Sequence, residues 1–116
     1  MPESLNDLAE QLRRFASERD WEQFHSPKNL AAALTVEAAE LLEHFQWMPE
    51  SESRLLDAQK RGEVALEIAD VLLYLVRLAD VLGIDAVAAA REKMRLNAQR
   101  YPVALARGSS RKYDAL

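Results

Sequence analysis

Two features of the sequence predict an all-α fold of four to five helices. Apolar residues recur at helical spacing over long stretches, and only three glycines and four prolines interrupt 116 residues. That length gives one domain, residues 1–116. With 49% apolar and 29% charged residues, the chain can build a core, so disorder is not the default.

The first helix starts after Ser4. Ser4 is an N-cap followed by a capping-box-like acid, Asp7. Leu5, Leu8, Leu12 and Phe15 then repeat at helical spacing to about Arg19 or Asp20. The period is lost over DWEQFHSPKN, which gathers Trp21, Phe24 and His25 in a loop or half-turn. Ser26-Pro27 reads as N-cap and first position of a second helix, covering 27–46 and ending before Pro49. Ser51 is expected to cap a polar helical segment reaching about Gly62. That segment is either a separate short helix or the first turns of the next one. The long helix stops at Gly83, a suitable residue just past a helix end. Asp85 caps a last helix running to Tyr101, and Pro102 ends it. The tail, VALARGSSRKYDAL, is basic.

The long helix carries the chemical question. Glu63 to Leu82 reads EVALEIADVLLYLVRLADVL and is apolar on nearly every side, which predicts burial. One stripe is polar: Glu67, Asp70, Tyr74 and Arg77 fall at i, i+3, i+7 and i+10, on a common face. The second helix is similarly apolar, with Glu37 and Glu40 as its inner polar positions. Each pair sets two carboxylates about one turn apart. If the two helices pack antiparallel, four carboxylates converge, and that is costly unless a cation neutralises them. Hard oxygen ligands select Mg²⁺ or Mn²⁺. Mg²⁺ commonly shares its sphere with substrate phosphates, which points to phosphoryl chemistry. The competing reading of each acidic pair is a solvated face or a salt-bridge ladder, with Arg77 among the available partners.

The other candidates divide the same way. His25 and His44 are either ligands or ordinary packing and hydrogen-bonding groups. Trp21, Phe24 and Trp47 flank the acidic helix as core residues or as walls of a planar-ligand pocket, and composition favours core. Lys93, Asn97, Arg100, Arg111 and Lys112 form a solvated face or supply cations for a polyphosphate. The absence of cysteine excludes disulfides, thiolate metal sites and a cysteine nucleophile, and fits a reducing, cytoplasmic setting. A net charge of −4 argues against a nucleic-acid surface. Glu67, Asp70, Arg77 and Asp80 interrupt the apolar run, so no membrane span is expected, and MPESLNDLAEQL does not look like a signal peptide.

Glu37-Ala-Ala-Glu40 followed by Glu67-Ile-Ala-Asp70 resembles the E-x-x-E…E-x-x-D signature of the all-α MazG-like nucleotide pyrophosphohydrolases. RDWEQFHSPKNLAAAL, EHFQW, EIADVLLYLVRLAD, NAQRYPV and RGSSRKY extend the resemblance to the dCTP pyrophosphatase branch, from about Phe15 to Tyr113. The resemblance implies a helical bundle completed by oligomerisation, a homotetramer built as a dimer of dimers with sites near subunit interfaces. It implies Mg²⁺-dependent hydrolysis of a nucleoside triphosphate, dCTP or a modified dCTP first, to the monophosphate and pyrophosphate. By position, Glu37, Glu40, Glu67 and Asp70 would be metal ligands. Trp21, His25, Trp47 and Tyr74 would line the base and sugar pocket, with Tyr74 one turn beyond Asp70 and facing the same cavity. An aromatic so placed can stack on or exclude a ribose 2′-hydroxyl, which would favour deoxynucleotides. Lys93, Asn97, Arg100, Lys112 and Tyr113 would contact phosphates. The implied chemistry is in-line attack of water on phosphorus, with Glu37 or Glu40 orienting or deprotonating the water.

Three alternatives accompany this reading. One is the same reaction on a broader or different nucleotide range. A carboxylate-bridged di-metal redox bundle would want Glu-x-x-His on two helices, and the only such spacing, Glu22 to His25, lies outside the acidic helices. A non-enzymatic helical interaction module would carry the acids as a buried ionic network. Arg77 is expected to pair with Asp80, while Glu43 and His44 receive no role.

Overall fold

The computed structural model describes residues 4–116, which form six α-helices and two single 3₁₀ turns without any strand among them. The all-α expectation is therefore met. The chain forms two compact units, Met1–Ile84 and Asp85–Leu116.

In the first unit, α1 spans Leu5–Glu18, α2 Pro27–Glu43, α3 Glu50–Ser53 and α4 Ala58–Val81. Ser4 opens α1 with a full capping box. Its Oγ accepts the Asp7 N–H at 3.2 Å, and the Asp7 carboxylate accepts the Ser4 N–H at 3.0 Å. The helix closes with the Asp20 N–H donating to the Ser17 carbonyl and the Trp21 N–H to the Ala16 carbonyl. Asp20 sits at φ 54°, in the left-handed region this reversal requires. The reversal fixes where Trp21 leaves the helix. A 3₁₀ turn, Glu22–Phe24, follows. Ser26 Oγ then accepts the Asn29 N–H at 3.1 Å, and Asn29 Nδ2 donates back to the Phe24 carbonyl at 3.0 Å.

Two boundaries differ from the sequence expectation, and a third, left open by the sequence, is decided. Helix α2 ends at Glu43 rather than 46, and the chain runs on through turns to Trp47. Ser51 is not the cap of the next segment: Pro49 holds the N-cap position, and Ser51 lies inside the single turn of α3. The long helix begins at Ala58, where Asp57 caps it by accepting the Lys60 N–H at 2.8 Å. The polar segment is split between the two alternatives: Glu50–Ser53 is a separate short helix, and Ala58 to Gly62 are the first residues of α4. At the other end Gly83, at φ 67°, donates its N–H to the Asp80 carbonyl, and Ile84 donates to that of Ala79.

Helix α4 packs mainly against α2 and less extensively against α1. Ala16, Leu30, Val64 and Val76 are the buried apolar residues of this small core. The expectation that α4 is buried all round fails within the single chain. Ile68, Leu72 and Leu75, at i, i+4 and i+7, remain 52%, 36% and 47% exposed. Two neighbouring helices cannot cover every face of α4, so an apolar stripe is left open.

In the second unit, α5 spans Ala86–Arg100 and α6 Val103–Ala106, with a 3₁₀ turn at Tyr113–Ala115. Asp85 caps α5 through the Ala88 N–H at 3.0 Å. Among the described residues, no helix is long and apolar enough to cross a membrane.

Candidate metal and nucleotide site

The packing of α2 on α4 turns two inward acidic faces toward each other. Carboxylate oxygens from Glu37, Glu67 and Asp70 come within 4.8 Å of one another. One oxygen of Glu37 (Oε2) and one of Glu67 (Oε2) are buried without a hydrogen-bond partner. A buried carboxylate oxygen with no donor is costly, and a divalent cation is the partner such a group lacks. Glu40 is not one of the three converging groups, but it lies within hydrogen-bonding reach of Glu37. Sharing a proton with Glu40 is the main cause that pushes Glu37 up to about 7. Burial and the charges of Glu40, Asp70 and Glu67 push the same way. The donor set, all hard oxygens from a strained like-charge cluster, fits Mg²⁺.

A cavity of about 180 Å³ adjoins this cluster. Trp21, His25 and Tyr74 line it together with Asp70, so one carboxylate belongs to both the acidic cluster and the aromatic pocket. Tyr74 follows Asp70 by one helical turn, as the sequence indicated. Trp21 meets Phe15 edge-on at 5.7 Å between ring centroids and His25 at 6.4 Å.

Arg77 is the feature the sequence left open. It is 7% exposed, and its Nη1 lies 3.4 Å from Asp80 Oδ2, the expected pairing. It also donates from Nε to His25 Nδ1 at 3.1 Å. Arg13 grips the same Asp80 with two bonds, 3.0 Å from Nε and 2.8 Å from Nη2. Those bonds hold Asp80 below the usual carboxylate range. Burial, then the Arg77 charge, lowers the His25 pKa.

The remaining candidates separate. Trp47 is 88% exposed and does not line the cavity. His44 is the C-cap of α2. Lys93, Asn97, Arg100, Lys112 and Tyr113 all belong to the second unit. There the Arg100 guanidinium lies 4.8 Å over the Tyr113 ring, which also meets Tyr101 edge-on at 6.1 Å. Lys93 and Asn97 are exposed on α5. Sequence reasoning missed Leu12, Phe15, Leu73 and Arg77 as cavity walls. The signal was present for Arg77, which follows Tyr74 by three residues and Asp70 by seven on one helix face.

Residues 32–116 match the model of the MazG-like family. The chain is 47% identical over 115 residues to the dCTP pyrophosphatase 1 of Homo sapiens, an alignment covering 97% of this chain and 68% of that protein. The Rattus norvegicus dCTP pyrophosphatase 1 gives the same identity and coverage. A crystal structure of a pyrophosphatase from Archaeoglobus fulgidus aligns with a TM-score of 0.80 at 42% identity, over 88% of this chain and 95% of that one. The converging carboxylates and the family match agree: this chain belongs to the MazG-like family.

Proposed function

We propose that the protein hydrolyses a deoxynucleoside triphosphate, dCTP or a modified dCTP first, to the monophosphate and pyrophosphate in a Mg²⁺-dependent reaction. The observation that carries the reading is the shared position of Asp70. It places a carboxylate cluster with two unpartnered buried oxygens against an aromatic cavity. The dCTP pyrophosphatase relatives support the substrate class.

In this reading Glu37, Glu67 and Asp70 hold Mg²⁺, and Glu40 completes the set beside Glu37. The bound ion supplies positive charge that offsets the triphosphate and the carboxylates. Trp21 and Tyr74 position the base and sugar, with His25 as the polar wall. Glu37 or Glu40 orients or deprotonates the attacking water. By the family resemblance Lys93, Asn97, Arg100, Lys112 and Tyr113 are the candidate phosphate contacts; within the second unit Arg100 and Tyr113 are held together by their stacking. A cytoplasmic setting fits the cysteine-free chain.

The working form is a homotetramer. Support comes from the open stripe Ile68, Leu72 and Leu75, whose 4-then-3 spacing suits helix-on-helix packing with another copy. The exposed Trp47 indole is a second surface that an adjacent subunit would cover.

The test is steady-state hydrolysis across a nucleotide panel with product identification in labelled water. Release of pyrophosphate and dCMP from dCTP, lost in Glu40→Gln without loss of helical content, is expected. Wild-type turnover by purified Glu40→Gln would remove Glu40 from the mechanism, and no triphosphate hydrolysis by the wild type would sink the function.

A further inference from the structure

We infer that Arg77 is a positioning residue. It locks His25 in the Nε2–H tautomer, so that the cavity offers a hydrogen-bond donor to an acceptor atom of the bound nucleoside, a carbonyl oxygen or an unprotonated ring nitrogen. The role of the donor rests on the proposed nucleotide reaction; the tautomer does not.

The argument starts at Arg77 Nε. A guanidinium nitrogen can only donate, so its partner 3.1 Å away, His25 Nδ1, must carry a lone pair. A neutral imidazole with an unprotonated Nδ1 carries its proton on Nε2. No side chain or backbone group among the described residues bonds to Nε2, so this donor is free for a ligand. His25 lines the cavity beside Tyr74 and Asp70, which places that donor in the pocket wall.

Arg77 cannot easily turn away. Its side chain is only 9% exposed, and Asp80 holds Nη1 from the next turn of the same helix. Asp80 is fixed in turn by the two bonds from Arg13 on α1. The chain Arg13–Asp80–Arg77–His25 thus ties α1, α4 and the loop before α2 to one ring orientation. An Nδ1–H tautomer would set two donors against each other in a part-buried site, which is disfavoured. Burial, and then the Arg77 charge, also disfavours a charged imidazolium.

The direct test is nuclear magnetic resonance of ¹⁵N-labelled protein at pH 8, without nucleotide, with His44→Gln separating the two histidines. His25 is expected as a single Nε2–H tautomer, with a through-bond ¹⁵N–¹⁵N coupling to Arg77 Nε. An Nδ1-protonated His25 in the wild type overturns the inference. Arg77→Met should give a mixture of tautomers, while Arg77→Gln, which keeps a donor, should retain Nε2–H. An unchanged ring in Arg77→Met overturns it as well. If Arg77→Met does not fold, the wild-type spectrum and Arg77→Gln still decide.

The functional arm uses dCTP hydrolysis. Arg77→Met is expected to raise KM about tenfold and to change kcat less than threefold, as loss of one positioned hydrogen bond does. In a His25→Phe background the same substitution should have no further effect on KM. A full KM effect in that background would show that Arg77 acts by another route. Because the spectrum needs no nucleotide, failure of the tautomer assignment and failure of the proposed hydrolysis are separate results.

Discussion

Replacing Glu67 by glutamine in the metal-free and the Mg²⁺-loaded protein separates a cation site from a structural ionic network. Glu67 is the informative ligand because its Oε2 is buried and unpartnered, and it lies among two other carboxylates within 4.8 Å. A cation bound only by the native state stabilises it by RT ln(1 + [Mg²⁺]/Kd), about 2.7 kcal/mol at one hundred times Kd. With an unfolding entropy of about 2.1 cal/mol/K per residue, a chain of 116 residues loses or gains about 0.24 kcal/mol for each degree of Tm. The wild-type midpoint should therefore rise by about 11 °C at that Mg²⁺ concentration. If Glu67→Gln weakens the site about a hundredfold, the same concentration stabilises by only about 0.4 kcal/mol, a shift of about 2 °C. Without metal, Glu67→Gln should melt at or above the wild-type temperature, because one like charge is gone and the new amide can donate to Glu37 or Asp70. The assay is a thermal melt at fixed protein concentration, which keeps any subunit equilibrium constant. An unmoved wild-type midpoint, or a full shift in Glu67→Gln, would refute the metal cradle and favour the interaction-module reading.

The pH dependence of the metal-free protein has an unusual sign. Glu37 titrates near 7 when folded against 4.5 as a free side chain, so the folded state holds the extra proton between those values. Stability should rise as pH falls through that window, and Mg²⁺ affinity should weaken on the order of tenfold per pH unit below about 7, both readable by melts with and without metal. Asp80 has the opposite sign and loses its contribution only as pH falls toward and below its ordinary 3.8. Gly83→Ala should cost about 1–2 kcal/mol, measured by denaturant titration, because φ is 67° there although no atom within 4 Å blocks a methyl group. Leu30→Ala, at a side chain only 2% exposed, should cost about 2–5 kcal/mol in the same titration. Leu75→Glu should dissociate the proposed assembly in sedimentation velocity while leaving helical content unchanged, and an intact tetramer would move the subunit contact elsewhere.

The fold was legible where local chemistry decides it. Ser4 with Asp7, Ser26 with Pro27, Asp85 and Gly83 each mark a helix end by a bond or a backbone angle that the residue itself supplies, and each stands where expected. The α3 region was harder, since Ser51 and Asp57 are both competent caps, yet only Asp57 caps a helix, while Pro49, which has no side-chain acceptor, takes the N-cap position of α3. The acidic site was legible from spacing: two carboxylate pairs on two apolar helices meet once those helices pack. Which three oxygens converge was not, because it depends on side-chain rotamers that place Glu40 against Glu37 instead of among the other two. Arg77 shows the same limit. Its pairing with Asp80 follows from an i, i+3 spacing, but its bond to His25 spans 52 residues and needs the loop after α1 to fold back.

Helix α4 carries both the acidic half of the cluster and the apolar stripe, and this explains why its sequence defies a single burial assignment. A cation site on a helix must hold its carboxylates at fixed separation, so the helix cannot slide or fray. One chain supplies α1 and α2 as packing partners, which leaves Ile68, Leu72 and Leu75 uncovered. Covering that stripe with another copy would hold the helix on a face that α1 and α2 leave open. Assembly and metal binding would then stabilise the same element, and their effects on Tm should exceed either alone while Mg²⁺ affinity rises with protein concentration. Equal Mg²⁺ affinity for the wild type and a dissociated Leu75→Glu protein would show instead that α2 and α1 alone hold the cradle in shape.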